Sequence, residues 1–398
     1  MITPRRSWLA ALLTGWLLLL GTGVPALAVS APTPTTPHPG GPPVGRGPDG
    51  TVIGGHRLAT RGPVIALGAP ALPAELSARG WLVADLDSGD VLAARDPHGK
   101  YYPASTLKTL TLLALYDELD PAQVVTGTFE DAGVEGTKVG IVEGGAYPVR
   151  LLFLALMLQS GNDAANALAR AAGGTEATVD LMNDTAAQLQ AYDTVAGTPS
   201  GLDVGGQSSS PYDLALILRQ ILADPDLVEI MAAPTAVMPA VPPRYPVFEF
   251  QNGNRLLGSY PGALAGKTGF TDAARHTYVG AARRDGRTLV VTLMQGEQQP
   301  VPMWQQAALL LDWGFAVPAG TPPVGELIDP LAPGQSPPTR PPAASPAPVP
   351  GPTPGAAARP PMAESWSFAV PLALALGGVV LVFAVARMTS PRRGRPRR

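Results

Sequence analysis

The sequence predicts an α+β domain over residues 60–330, in which strands from both ends build one antiparallel sheet and helices fill the middle. Three observations predict it. The run "GWLVADLDSGDVLAA", residues 80–94, reads as two short strands around a Ser88-Gly89-Asp90 turn. The run "HTYVGAARRDGRTLVVTLM", residues 276–294, reads as a hairpin turning at Arg284-Asp285-Gly286-Arg287. Between them every long apolar pattern has helical rather than alternating character.

The elements follow in order along the 398 residues. Residues 1–28 have the form of a secretory signal: Arg5 and Arg6, an apolar stretch from Trp8 to Leu20, and small residues at Ala26-Leu27-Ala28. Residues 29–59 are rich in Pro and Gly and read as a disordered or loosely draped arm. "PASTLKTLTLLAL", residues 103–115, predicts a helix from Ser105 that is buried nearly all round, with Ser105, Lys108 and Leu112 along one face. "LLFLALMLQSGNDAANALARAAGG", residues 151–174, predicts a buried helix, a tight loop at Ser160-Gly161-Asn162, and a second helix ended by Gly173-Gly174. "ATVDLMNDTAAQLQAY" and "SPYDLALILRQIL" read as amphipathic helices, and "PMWQQAALLLDWGF" as a closing helix from near Pro302. Residues 331–365 form a linker, with twelve prolines among the thirty-one residues 331–361. In polyproline geometry that stretch spans up to roughly 95 Å. Residues 366–387 read as a membrane-spanning helix, because Ser367 to Ala386 carries no charge and covers about 30 Å of helix. Arginines at 387 and in the tail 388–398 place the C-terminus in the cytoplasm and the domain outside the cell.

Composition excludes several classes. There are no cysteines, hence no disulfide, no thiolate nucleophile and no Cys metal site. Setting aside Arg5, Arg6 and the six C-terminal arginines, the net charge is −11, a poor match to nucleic acid. The four histidines, at 38, 56, 98 and 276, lack ligand spacing, so no metal and no cofactor is expected.

The remaining polar features are three short motifs. Ser105 and Lys108 form S-x-x-K on a buried helix, where a lysine is costly unless paired or neutral. Ser160 and Asn162 form S-x-N between apolar helices, as polar groups that need partners. Lys267-Thr268-Gly269 is expected at a strand start before the late hairpin. Each alone has an ordinary structural explanation. Together, in this order, they are the motif set of penicillin-binding proteins and class A β-lactamases. Lysine usage points the same way: the chain has twenty-four arginines and four lysines, yet two of the four stand in these motifs. A buried lysine can lose its proton, and an arginine cannot.

On these residues the chain resembles the serine D-alanyl-D-alanine carboxypeptidases, the low-molecular-mass penicillin-binding proteins. "YYPASTLK", "SGNDAANALA", "TPSGLD", "NGNRLL", "GKTGFTDAARHTYVGAA" and "LLLDWGF" carry the resemblance, over about Gly80 to Phe315. It implies a β-lactamase/transpeptidase-like fold, an antiparallel sheet flanked by a helical subdomain. It implies cleavage of the terminal D-Ala-D-Ala bond of a peptidoglycan stem peptide, with β-lactams as covalent inhibitors. Ser105 would be the nucleophile, Lys108 its base and Ser160 a proton relay. Asn162, Lys267, Thr268, Gly269 and Phe270 would bind substrate, and the Ser105 and Phe270 N–H groups would form the oxyanion hole.

Two departures stand out. Members often carry a basic residue after the last core strand to hold the substrate carboxylate, and Gln295 to Met303 has none. Arg275 and Arg255 are the substitutes. Many members also carry a β-rich domain before a membrane anchor, but fifteen residues between Phe315 and Leu331 leave no room for one. His276 reads as structural, and His98 with Tyr101-Tyr102 as a surface loop or cleft rim. A β-lactamase would need a deacylating carboxylate, and no E-x-x-L-N string follows Ser160. A non-enzymatic binding protein would be expected to have lost at least one motif residue.

Overall fold

Apolar alternation in the strands from the two ends of the chain builds the scaffold, and the computed structural model describes it over residues 45–332 and 334–335. The signal segment, residues 29–44 of the arm, the linker beyond residue 335, the apolar span 366–387 and the tail lie outside the described residues. Among the described residues no helix is long and apolar enough to cross a membrane. In chain order the strands are β1 (Pro63–Ile65), β2 (Gly80–Asp85), β3 (Asp90–Arg95), β4 (Val124–Thr126), β5 (Ala146–Pro148), β6 (Thr235–Met238), β7 (Phe248–Gln251), β8 (Ala263–Thr271), β9 (Arg275–Arg284), β10 (Arg287–Gly296) and β11 (Gly325–Glu326). The α-helices are α1 (Lys108–Tyr116), α2 (Phe129–Gly133), α3 (Val149–Leu158), α4 (Asn162–Ala171), α5 (Thr175–Gln188), α6 (Pro211–Leu222), α7 (Pro225–Ala232), α8 (Arg255–Ser259) and α9 (Met303–Ala316).

One seven-stranded sheet runs β1-β3-β2-β10-β9-β8, with β11 also on β3. Its pairings are all antiparallel. The two β-patterned regions of the sequence meet at its centre, where Trp81 lies opposite Leu293 and Asp85 opposite Leu289. Side chains alternate between the faces. Leu82, Ala84, Val279, Val290 and Met294 pack with the helical part of the domain. Trp81, Val83, Tyr278, Leu289, Val291 and Leu293 pack with α9, through Met303, Ala307, Leu310 and Leu311. The domain is thus an α+β sandwich of helices, sheet and one closing helix. Strand β8 has a neighbour on one side only and leaves a free edge.

Three local expectations are corrected and one is refined. The helix at Ser105 begins as a 3-10 turn, Ala104–Leu107, and becomes α-helical at Lys108, so Ser105 precedes α1. Helix α6 keeps the amphipathic pattern but is buried more deeply than that pattern implies: nine of its twelve residues are buried, because it packs between the sheet and α1. Lys267-Thr268-Gly269 lies in the middle of β8, not at its start. The arm does not run loose to residue 59. Its glycines let it fold back from residue 45, with Ile53 N–H donating to Gly45 O, Glu326 N–H to Gly54 O, and Leu58 fully buried in the core.

His98 fastens that segment. It is buried rather than on a surface loop or cleft rim. Its Nδ1 lies 2.8 Å from Asp193 Oδ2 and its Nε2 3.0 Å from the Ile53 carbonyl, and its ring stacks on Tyr212. Both partners are acceptors, so both ring nitrogens donate and the ring is an imidazolium. Burial alone would lower its pKa, but the Asp193 bond and charge, helped by Asp213, raise it above the ordinary value. Burial pushes the nearby Asp213 carboxyl up to about 7. The imidazolium therefore contributes stability that is complete below pH 6.5 and lost as pH rises through the raised value. His98→Gln is expected to cost about 2 kcal/mol in urea unfolding at pH 6, because Asp193 loses its buried cationic partner and keeps only the more exposed Lys100 at 3.9 Å. The gap to wild type should narrow as pH rises, and a gap that grows would contradict the assignment.

Candidate active site

The site is built where the turn before α1 meets β8. Pro103 O accepts from Thr106 Oγ1 at 2.6 Å and from Thr277 Oγ1 of β9 at 2.8 Å, which ties the turn to the sheet. Ala104 is held at φ +48°, a left-handed strain of the kind stored at functional sites. It turns Ser105 into the cleft, half-exposed. Gly269 makes the approach possible, since a Cβ there would lie 2.8 Å from Ser105 N and 2.4 Å from Thr277 Oγ1.

Lys108 is fully buried. Its Nζ lies 2.6 Å from Asn162 Oδ1, 2.6 Å from Ser200 O and 3.1 Å from Ser105 Oγ. Burial first, and then the charge of Lys267, hold its pKa well below the ordinary lysine value. A neutral amine has two N–H donors and one lone pair. The two shortest contacts are to oxygens that only accept, so they take the donors and the lone pair faces the Ser105 hydroxyl. The Ser200 carbonyl was not foreseen from sequence, because a backbone acceptor has no residue signature. Its loop is pinned by Thr111 Oγ1, which donates to Pro199 O at 2.8 Å. Gly201 has φ +81°, and a Cβ there would lie 2.0 Å from Ala104 O.

The Ser160-Gly161-Asn162 loop joins α3 to α4, as expected. Ser160 has φ +61°, and its Oγ is buried with no hydrogen-bond partner among the described residues. Asn162 Nδ2 donates to Glu135 O, so the side chain that orients Lys108 is itself held at both ends. Asp163, not singled out in the sequence, takes N–H groups from Val139, Gly140 and Ile141. It fixes the loop that carries Thr137 to the cleft wall.

Alternation along β8 divides the third motif. Lys267 and Gly269 face the helices, opposite Val279 and Thr277, while Thr268 and Phe270 face the α9 side, opposite Tyr278 and His276. Lys267 is buried, which pushes its pKa down to about 7, and its Nζ donates to Thr268 O at 2.8 Å. The charge of Lys267 disfavours a proton on Lys108. Phe270 is exposed at the rim. A cleft of about 600 Å³ runs over the β8 edge, lined by Ser105, Ser160, Lys267, Thr268, Gly269 and Phe270 among others. The seven motif residues, and Phe270 that the resemblance adds, therefore converge here, with Lys108 and Asn162 just beneath the surface of the cleft.

Neither arginine substitute is placed as the sequence suggested. Arg275 is bound to Glu297 through two contacts of 3.0 and 2.8 Å. Arg255 lines the cleft, but at the far end of β8. Tyr101 is buried and donates to Asp96 Oδ2. His98, Asp193 and Asp213 offer ligand atoms within 4.8 Å of one another, a grouping that sequence spacing did not reveal. Both His98 nitrogens are already engaged there, which does not suit a metal.

The chain is similar to known proteins over this domain. The Peptidase S11 family, described as D-alanyl-D-alanine carboxypeptidase, matches residues 68–298. The D-alanyl-D-alanine carboxypeptidase DacB2 of Mycobacterium tuberculosis is 47% identical over 244 residues, 60% of this chain and 83% of the relative. The DacD carboxypeptidase of Escherichia coli is 30% identical over 61% of this chain, which spans 64% of that relative's length. Among solved structures, a D-alanyl-D-alanine carboxypeptidase from M. tuberculosis superposes with a TM-score of 0.63 at 44% identity, covering 66% of this chain and 99% of its own. The Streptomyces K15 DD-transpeptidase gives a TM-score of 0.58 at 25% identity, covering 62% of this chain and 100% of its own.

The close approach at Gly201 makes a prediction. Gly201→Ala is expected to lower the unfolding free energy by about 2 kcal/mol, since the new methyl meets a carbonyl in a left-handed backbone. Thermal unfolding checks it, and an unchanged midpoint would mean the Ser200 carbonyl is not tightly held.

Proposed function

We infer the function from one premise: the chain belongs to the Peptidase S11 family and is a D-alanyl-D-alanine carboxypeptidase, a hydrolase. We propose that it removes the terminal D-alanine from peptidoglycan stem peptides through an acyl-enzyme on Ser105. The observation that supports this most is the Lys108 amine, buried, depressed in pKa and in contact with Ser105 Oγ.

In this reading the Ser105 hydroxyl gives its proton to the Lys108 lone pair as Oγ bonds to the penultimate D-Ala carbonyl carbon. The negative charge that develops on the carbonyl oxygen is met by the Ser105 and Phe270 N–H groups. The C–N bond then breaks, and the leaving amine takes a proton from Lys108 by way of Ser160. The unpartnered Ser160 Oγ suits a relay whose partner arrives with substrate. D-Alanine departs. Water then attacks the ester carbon and gives a proton to Lys108. The bond from that carbon to Ser105 Oγ breaks, Oγ takes the proton back from Lys108, and the shortened peptide leaves as its acid. Asn162 keeps Lys108 aimed, Gly269 lets the substrate backbone approach the β8 edge, and Thr268 donates its hydroxyl to the substrate carboxylate. A bound carboxylate favours the charged form of Lys267, which then steadies the site. A β-lactam would acylate Ser105 by the same first step.

We also propose that the domain works outside the cell, held by the 366–387 span on the proline-rich linker. The apolar composition of that span and the flanking arginines support this. Full-length protein is expected in the membrane fraction, and a chain ending at Pro330 in the soluble exported fraction. Equal partitioning of both would remove the anchor.

The chemistry has its own tests. Ser105→Ala and Lys108→Arg should each abolish D-alanine release from a peptide ending in D-Ala-D-Ala, because an arginine cannot become neutral. The rate should be bell-shaped in pH. It rises as Lys108 loses its proton and falls as Lys267 loses its own, from about 7 in the free enzyme. Lys267→Arg should remove the falling limb. Fluorescent penicillin on Ser105 without any D-alanine release would instead indicate a binding protein.

A further inference from the structure

A carboxypeptidase must recognise a free terminal carboxylate. Lys267 supplies general positive charge to the cleft, but its Nζ is engaged by Thr268 O, on the face opposite the Thr268 side chain. Neither arginine near the cleft is placed to pair with that carboxylate. The position of that carboxylate is bounded by covalent geometry. Its carbon lies within about 4 Å of the scissile carbonyl carbon, across one N–Cα unit. The attacked carbonyl sits at Ser105, which is level with the Gly269 and Thr277 pair of the sheet. Arg255 follows Asn254, whose Nδ2 overlies Gly266, three residues away along β8. That is roughly 10 Å along the strand, beyond the reach of the first carboxylate. Arg275 is occupied by Glu297 and is not among the residues that line the cleft.

His276 is one position from Gly269 and Thr277, directly opposite Phe270. It shares a face with Thr268, as a diagonal neighbour within reach of a common ligand. It lines the cleft beside Gln298. Its ring is fixed from both sides. Phe270 stacks against it with centroids 4.4 Å apart. Gln298 Nε2 lies 3.3 Å from its Nδ1, while Gln298 Oε1 accepts from Met303 N–H. With its oxygen so engaged, the Gln298 amide turns its N–H toward Nδ1, which must accept. The ring proton is then left on Nε2.

We propose that His276, its tautomer set by Gln298, donates its Nε2–H to the terminal carboxylate of the substrate, beside the Thr268 hydroxyl. The inference rests on the carboxypeptidase reading above and names the specificity residue within it. Burial, more than the nearby Arg275, lowers the pKa of the ring, against the opposite effect of Glu297, and keeps it a neutral donor at neutral pH. The Arg275 pair to Glu297 has a place here too, because it neutralises a carboxylate that would otherwise repel the incoming one.

The test compares an N-acetylated tripeptide ending in D-Ala-D-Ala with the same peptide as its C-terminal amide. The readout is the ratio of the two kcat/KM values. His276→Phe keeps the stack on Phe270 and removes the donor. It is expected to lower the acid-to-amide preference about tenfold, chiefly through KM for the acid. His276→Gln restores a side-chain N–H and should recover part of the preference. Thermal unfolding of both variants reports their folding. An unchanged preference in folded His276→Phe overturns the proposal. So does a preference that survives there but collapses in Arg255→Gln or Arg275→Gln. Wild-type protein that cleaves both peptides equally, releasing D-alanine from the acid and D-alaninamide from the amide, overturns this inference alone. Wild-type protein that cleaves neither overturns the carboxypeptidase reading, and this inference with it.

Discussion

An amine buried out of reach of water must find an anion or give up its proton, and the architecture around Lys108 imposes the second course. Among the described residues no carboxylate hydrogen-bonds its Nζ, whose contacts are two fixed oxygens and a serine hydroxyl. Each contact comes from a different part of the chain. Asn162 opens α4, Ser200 lies in a loop pinned by Thr111, and Ser105 sits in a turn pinned by Thr277 of the sheet. If any one of these shifts, the lone pair loses its direction. The strained backbone at Ala104 and Ser160 is concentrated in the same place, held by the packing around it.

The second dependence is on the free edge of β8. Sheets ordinarily protect an exposed edge, because unpaired N–H and C=O groups invite pairing with other chains. Here the edge lies within a cleft between the helical part and the start of α9. A substrate backbone can join it there, where a second protein chain has little access. The two faces of the strand divide the work. Lys267 and Gly269 look toward Ser105, and Thr268 and Phe270 toward the opposite wall. Period-2 alternation thereby turns one tripeptide motif into contacts on both sides of a ligand.

Much of this was legible in the sequence, for identifiable reasons. The two terminal strand regions, the late hairpin and the helix-loop-helix around Ser160 were readable because turn residues and apolar period agree there. The seven motif residues were readable because lysine is rare in this chain and the three motifs keep a fixed order, whereas Phe270 came only from the family resemblance. The misreadings came where tertiary contacts decide. Composition alone made residues 45–59 look loose, whereas Leu58 and the Ile53 carbonyl bind them to the domain. The amphipathic pattern of α6 implied an exposed face, but the helix packs on several sides. His98 looked peripheral because Asp193 and Asp213, far along the chain, are what bury it. Backbone groups such as the Ser200 carbonyl leave no trace in residue identity.

The pairing of β2 with β10 has a consequence for the order in which the molecule can be made. Residues 80–85 sit at the centre of the sheet, yet one of their two neighbours is residues 289–294. Such a distant pairing carries a large loop-closure cost and cannot form while only the first part of the chain is present. Until then β2 and β3 form a ribbon with an open, strongly apolar flank. A protein without a single disulfide to lock in partial structure relies on its last hairpin to close the sheet. Lys267 lies on the strand just before that hairpin, so the cleft and the sheet become complete together.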